Sequence, residues 1–235
     1  MATEVYLAMT QSEFDVFPPD GAKMAWLSCR LSPSGAGLDG MPPALPSGSL
    51  LILTDEIPFQ DHDPAEISAE LYQVLISMNY AGLLLDFQQP RNVSLAELAQ
   101  QLSSALPCPV AVSEPYAQDL DCPVFLSPCP HHVHLRDHIS PWADRELWLD
   151  LATDAETITV TPSGSVVAPL LDWNLPEDGY CDESLHCHYR IETGLDFVRF
   201  TLWRTRADLE ALIQEGAELG IANFVGLWSE WASAK

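Results

Sequence analysis

The stretch Leu83-Leu84-Leu85-Asp86-Phe87-Gln88-Gln89 decides the fold of this 235-residue chain. Three consecutive leucines are typical of a strand that is buried on both faces, as strands of parallel sheets are. The run then ends abruptly in polar groups. A (β/α) barrel places its chemistry at the carboxyl ends of its parallel strands. The stretch therefore predicts a barrel strand with polar, chemically useful side chains at its end.

The segments around this stretch repeat one strand–helix pattern. Residues 50–53 predict a short buried strand. Asp63, followed by Pro64 and then Glu66, predicts the start of a helix with Asp63 as its N-cap. Ser94, with Glu97 three residues later, predicts a second helix start by a capping box. Residues 110–112 predict the next strand, and because parallel neighbours need crossover connections, this order predicts parallel pairing.

The rest of the chain extends the pattern and interrupts it. Residues 157–167 and 188–203 predict two β-hairpins, and a loop rich in Pro, Gly and Ser at 32–49 stands where a helix is expected. Thr205 predicts the cap of a last helix. Further strands are predicted at 5–9, 24–31, 124–126, 147–149 and 224–228.

We therefore predict one domain spanning residues 1–235, a TIM-like (β/α)8 barrel that is irregular, with some helices missing and hairpin insertions. An open doubly wound sheet is the competing architecture. The chain has no glycine-rich turn after an early strand, which a dinucleotide-binding sheet would need. The strand residues predicted to be buried are Leu51, Leu53, Leu83, Leu85, Val110, Val112, Phe125, Leu149 and Val225.

The charge of the chain limits its partners. There are 34 acidic and 10 basic residues, which give a formal net charge of -24. This charge repels phosphate backbones and anionic lipid surfaces, so we expect neither nucleic acid nor membrane as a partner. Oligomeric state is left open.

The location is inferred from the chain start and the cysteines. The first residues lack the basic and apolar regions of a secretory signal, and we interpret the six scattered cysteines as reduced thiols. We expect a cytoplasmic protein. A secreted protein whose signal has been removed is the alternative.

Polar and aromatic residues cluster where barrel strands are predicted to end. Carboxylates at successive strand ends bind sugar hydroxyls or act as acid and base. The alternative is that they are ordinary helix caps and turn residues. The ligand-binding candidates are Asp55, Glu56, Asp86, Gln88, Glu114, Tyr116, Asp150, Trp203 and Trp228, and the catalytic candidates among the carboxylates are Glu56, Asp86, Glu114 and Asp150.

Residues 81–88 resemble the fourth-strand signature of the chitinase-like glycoside hydrolases of family 18, Asp-Gly-x-Asp-x-Asp-x-Glu. Gly82 and Asp86 match the signature, whereas Ala81, Leu84 and Gln88 depart from it.

Two shorter pieces add to this resemblance. Residues 147–150 are similar to the Met-x-Tyr-Asp strand of the family, with Asp150 kept and the Tyr missing. Residues 224–228 are similar to its last strand, which ends in a sugar-stacking Trp, here Trp228.

The resemblance places Gln88 where the family has its proton-donating Glu. An amide has no transferable proton at neutral pH, and loss of general acid catalysis costs about 100- to 10,000-fold in rate. Hydrolysis in that family is substrate-assisted and depends on one carboxylic acid to protonate the leaving oxygen, so no second group of the enzyme takes over that role. The resemblance thus implies a catalytically degenerate glycoside-hydrolase-like barrel that binds a carbohydrate or similar polar ligand at the strand ends.

In that reading Gln88 hydrogen-bonds a sugar, and Trp203 or Trp228 stacks on it. One alternative is an active glycoside hydrolase with Glu56 or Glu114 as its acid. Another is a protein-interaction or assembly module with no small-molecule site.

A second group of residues suggests metal. Histidines and cysteines are dense at 129–138 and 181–188, and both residue types bind zinc. His134 and His138 share a helical face if residues 135–142 are helical, and His186 or His188 would have to supply a third ligand. Because no Cys-x-x-Cys pair or standard spacing is present, we expect neither a metal nor a cofactor.

Overall fold

The computed structural model describes residues 3–14, 23–32, 37–42, 45–55, 63–170 and 178–233. Its strands, in chain order, are β1 (Glu4–Met9), β2 (Lys23–Leu31), β3 (Leu38–Asp39), β4 (Leu50–Thr54), β5 (Gly82–Asp86), β6 (Val110–Ser113), β7 (Val124–Leu126), β8 (Leu147–Leu151), β9 (Ala155–Thr161), β10 (Gly164–Leu170), β11 (Tyr180–Asp182), β12 (Cys187–Thr193), β13 (Val198–Trp203) and β14 (Asn223–Leu227). Its α-helices are α1 (Gln11–Phe14), α2 (Pro64–Ser77), α3 (Val93–Ala105), α4 (Glu114–Ala117), α5 (Leu135–Ile139), α6 (Arg206–Glu218) and α7 (Trp228–Ser233).

A closed parallel barrel forms the body of the molecule. It consists of β1, β2, β4, β5, β6, β7, β8 and β14, and pairing of β1 with both β2 and β14 closes it. The key stretch lies in β5, the fourth barrel strand, which pairs in parallel with β4 so that Leu51 is opposite Leu83. The predicted barrel is confirmed, and closure rules out the open doubly wound sheet. All the strand residues that the sequence predicts to be buried are buried.

The helices around the barrel are uneven, as predicted. In the described residues, only the four-residue α1 lies between β1 and β2. Between β2 and β4, the described parts of the chain contain the two-residue β3, antiparallel to β2, and no helix. In its described part, the proline-rich segment thus has a short strand and no helix.

The helix starts test the capping predictions. Asp63 accepts a hydrogen bond from Ala65 N at 2.9 Å, and Thr205 forms the predicted capping box with Asp208. The prediction of Ser94 as an N-cap is wrong. Asn92 has the extended backbone of a cap and its side chain accepts from Leu95 N at 2.9 Å. The helix therefore begins before Ser94, which lies inside the first turn.

An antiparallel sheet is inserted between β8 and α6. It has the strand order β10-β9-β13-β12-β11, and it contains both predicted hairpins, β9–β10 and β12–β13.

No helix in the described residues is long and apolar enough to span a membrane.

Two hydrophobic cores follow from the alternation of side chains along the barrel strands. One core, with Leu83 and Leu85, faces the helices. The other, with Ile52, Leu84, Phe125 and Trp148, fills the barrel interior. Gly82 sits at the bottom of this interior, where a Cβ would lie 2.9 Å from the carbonyl oxygen of Pro109 and 3.3 Å from the Trp148 ring.

Candidate functional site

Three of the barrel strands have side chains that face the barrel interior and become polar at the carboxyl end of the strand. Two residues beyond Ile52, Leu84 and Trp148 along their strands come Thr54, Asp86 and Asp150, and side chains two apart in a strand lie on the same face. They meet in a cavity of about 560 Å³ at the carboxyl ends of the strands, a size typical of ligand sites. The described lining residues are Ala8, Leu27, Ile52, Thr54, Asp55, Leu84, Asp86, Gln88, Gln89, Pro90, Phe125, Asp150, Val225, Gly226 and Leu227.

The cavity brings together four of the residues that the sequence predicts to bind ligand: Asp55, Asp86, Gln88 and Asp150. The Gln88 side-chain amide donates a hydrogen bond to Asp86. Gln88 and Asp86, two residues of the stretch that resembles the family signature, are thus joined by a hydrogen bond in the cavity.

Asp150 is the carboxyl group with unusual protonation. Burial raises the pKa of Asp150 to about 7, and the negative charges of Asp86, Glu230 and Asp154 add to this effect. At neutral pH a substantial part of the Asp150 population therefore carries a proton. Such a carboxyl can donate a hydrogen bond as well as accept one.

Asp55 anchors the loop that follows β5. It is only 2% exposed, and its two carboxylate oxygens accept from the backbone N–H groups of Gln88 at 2.8 Å and Gln89 at 3.0 Å. Its backbone carbonyl accepts from the Gln89 side-chain amide at 2.6 Å. Asp55 thus holds the cavity rim in place, with both carboxylate oxygens engaged.

Tyr116 supports the same loop from behind. It is 1% exposed, and its hydroxyl lies 3.1 Å from the carbonyl oxygens of Gln89 and Pro90, to which it donates. Its ring packs edge-on against Phe87. This geometry gives Tyr116 a positioning contact with the rim.

Three other candidates lie apart from the described lining of the cavity. Glu114 accepts from Ser127 N at 3.1 Å and Ser127 Oγ at 2.8 Å. Trp203 is buried in the inserted sheet, stacked on His188. Trp228 begins α7, because β14 ends one residue earlier than predicted. Glu56 lies outside the described residues.

Sequence reasoning missed several contributors to the site. Thr54 and Phe125 line the cavity, and the two-residue alternation of their strands is a signal that could have found them. Glu230 on α7 accepts from Thr153 N at 2.9 Å and raises the pKa of Asp150. No local pattern predicts that contact, because it joins segments far apart in the chain.

The histidines proposed as metal candidates have separate partners. His134 Nδ1 lies 3.1 Å from the Ser184 carbonyl oxygen, and His138 Nε2 lies 2.9 Å from that of Ser127. His186 pairs with Glu215 at 2.6 Å, and His188 with Asp208 at 2.8 Å. In the described part of the chain, one group of three potential ligands converges, formed by Cys181, His188 and Asp208.

Comparison with solved structures identifies the fold. A chitinase-like agglutinin from Robinia pseudoacacia superposes with a TM-score of 0.61 at 14% identity, covering 94% of this chain and 93% of that one. A GH18 chitinase from Cycas revoluta in complex with (GlcNAc)3 gives 0.60 at 11%, covering 96% and 94%. A chitinase from Chromobacterium violaceum gives 0.60 at 11%, covering 98% and 97%.

The chain has the fold of GH18 chitinases and chitinase-like proteins. A further match is a double mutant of the Cycas enzyme, one of whose changes is Glu to Gln, in complex with (GlcNAc)4, at 11% identity, a TM-score of 0.59 and coverage of 96% of this chain and 94% of that one. No protein-family model matches the sequence, and no curated protein matches it.

Proposed function

We propose that this protein is a catalytically degenerate glycoside-hydrolase-like barrel that binds an N-acetylglucosamine-containing oligosaccharide in the barrel cavity without hydrolysing it. The observation that carries the proposal is the Gln88 amide, which stands in the cavity beside Asp86 and donates a hydrogen bond to it.

The chemistry of the cavity suits binding better than turnover. Cleavage of a glycosidic bond needs an acid that protonates the leaving oxygen. The amide of Gln88 donates hydrogen bonds but is not acidic enough to transfer a proton at neutral pH. The amide, the Asp86 carboxylate and the Asp150 carboxyl together offer both donors and acceptors to sugar hydroxyl and acetamido groups. The apolar floor, with Leu84 and Phe125, suits the less polar faces of a sugar ring.

Two of the similar structures support this direction. One is named an agglutinin, and another is a Glu-to-Gln-containing mutant chitinase in complex with (GlcNAc)4.

The second candidate function is an active hydrolase, and Asp150 is the observation that favours it. A carboxyl group with a pKa of about 7 is suited to general acid catalysis. Glu114, which the sequence suggests as a replacement acid, is instead engaged with Ser127. Among the described residues, Asp150 is therefore the acid that a hydrolase would use. The other replacement acid that the sequence suggests, Glu56, lies outside the described residues.

Calorimetric titration of (GlcNAc)4 tests the proposed binding. The wild-type protein should bind the oligomer, and Asp86→Ala should weaken binding by about tenfold or more, because a hydrogen bond to a charged group contributes about 1.5–3 kcal/mol. Glu114→Ala serves as the matched control, since Glu114 lies away from the described cavity lining. No binding by the wild type, or equal binding by Asp86→Ala, would overturn the proposal.

A further inference from the structure

The inserted sheet and the start of α6 bring three zinc-type ligands together. The ligand atoms of Cys181, His188 and Asp208 all lie within 4.8 Å of one another. Cys181 and His188 are paired residues of the antiparallel strands β11 and β12, so their side chains leave the sheet on the same face. Asp208 approaches that face from the first turn of α6.

His188 and Asp208 are each held in place by a neighbouring residue. The His188 ring stacks on Trp203 with centroids 5.7 Å apart and an angle of 25° between the planes. Asp208 Oδ2 accepts from Thr205 N and Thr205 Oγ1, both at 2.7 Å. Outer contacts of this kind orient metal ligands and keep their geometry fixed.

The electrostatics and access also favour a cation. The charged groups that act on Cys181 are Asp208, Glu183 and Asp182, all negative. Cys181 is exposed, whereas the Asp208 side chain is 8% exposed. An ion can therefore enter from solvent on the cysteine side and meet a carboxylate at the protein side.

We infer that Cys181, His188 and Asp208 form a zinc-binding site on the inserted sheet, separate from the barrel cavity. Thiolate, imidazole and carboxylate are the ligand types that zinc takes in tetrahedral sites, with bonds of about 2.0–2.3 Å. Ligand atoms bonded at those lengths lie roughly 3.3–3.6 Å apart in a tetrahedron. His188 Nδ1 and Asp208 Oδ2 are now 2.8 Å apart, so a small separation of the two admits the ion.

The proton balance of binding follows from these contacts. One proton leaves the Cys181 thiol for solvent. The hydrogen that joins His188 Nδ1 to Asp208 Oδ2 is replaced by the ion, and the ring carries its hydrogen on Nε2 instead, so that a neutral imidazole binds through Nδ1. A water molecule fills the fourth position. Zinc uptake should therefore be weaker at low pH.

Cobalt(II) is the probe for this site, because a cobalt–thiolate bond produces a charge-transfer absorption that nitrogen and oxygen ligands do not. The full chain, dialysed against chelator, should take up one equivalent of cobalt with this band, and zinc should displace it. Cys181→Ser should abolish the band and weaken zinc binding by at least tenfold. Cys108→Ser, which changes a half-buried cysteine elsewhere, should leave both unchanged.

Two outcomes would overturn the zinc site. The first is a wild-type protein that shows no charge-transfer band. The second is a band that survives in Cys181→Ser, which would assign the thiolate to another cysteine. His188→Gln provides a second variant, since loss of the imidazole should weaken zinc binding while circular dichroism confirms that the sheet is intact.

Discussion

Asp150 is a carboxyl group whose pKa is raised by burial to about 7, well above the ordinary value of 3.8. The folded protein therefore holds a proton on Asp150 at pH values where the unfolded chain has released it. By linkage, this group makes folding more favourable as pH falls from about 7 towards 4, and the benefit is lost as pH rises through about 7. Above that pH the half-buried Asp150 carries a negative charge that is repelled by Asp86.

The prediction for Asp150 concerns the free energy of unfolding. Asp150→Asn should be more stable than the wild type at pH 8 by on the order of 2 kcal/mol, since one pKa unit corresponds to about 1.4 kcal/mol. The advantage should shrink towards pH 5. Urea unfolding at both pH values measures it, with the exposed Asp196→Asn as control. A difference between variant and wild type that does not change with pH would contradict the raised pKa.

Asp55 gives the second residue-scale prediction. Asp55→Ala removes the carboxylate that accepts from the part-buried N–H groups of Gln88 and Gln89, and a hydrogen bond to a charged group contributes about 1.5–3 kcal/mol. We expect a loss of unfolding free energy in that range, measured by chemical denaturation. Asp55→Asn keeps one acceptor oxygen and should lose less. Equal stability of Asp55→Ala and the wild type would show that the rim does not depend on this carboxylate.

The start of helix α3 is set by a side-chain cap that the sequence pattern misplaces. The side chain of Asn92 caps α3 through Leu95 N, although the pattern of Ser94 and Glu97 imitates a capping box. Asn92→Ala should therefore destabilise the protein by about 1 kcal/mol, and Ser94→Ala should cost less. Thermal unfolding of the two variants compares them. The opposite order would move the helix start to the position that the sequence pattern suggested.

The elements of the barrel were predictable where burial and pattern coincide. Strands β4, β5 and β6 are short apolar runs separated by helices with strong caps, and their parallel pairing follows from that order. The short strand β11 was not predicted, because its three residues are polar or exposed and are recognised as a strand only through pairing with β12.

At the scale of the whole molecule, the barrel could be read from the sequence but only part of its site could. Asp86, Gln88 and Asp150 follow buried strands, so closure of the barrel brings them to one end. Trp228 does not join them in the described lining, because it belongs to α7, which begins directly after strand β14. The pKa of Asp150 depends on Glu230 and Asp154, which reach it only through the tertiary fold.

The net charge of -24 also acts on the molecule as a whole. A carboxyl-lined cavity in so acidic a protein disfavours anionic ligands. Neutral oligosaccharides are not repelled, so the proposed class of ligand is consistent with the negative electrostatic potential of the protein.

The central claim is that the cavity binds an oligosaccharide that the protein does not cleave. Incubation of (GlcNAc)4 with wild-type protein under saturating conditions, followed by chromatography of the sugar, tests it most directly. The account predicts that the tetramer is recovered intact from the wild type, and that Gln88→Glu, which restores a carboxylic acid beside Asp86, is the variant in which cleavage products can arise. Cleavage by the wild type that survives Gln88→Ala and disappears in Asp150→Asn would contradict the account and assign the acid to Asp150.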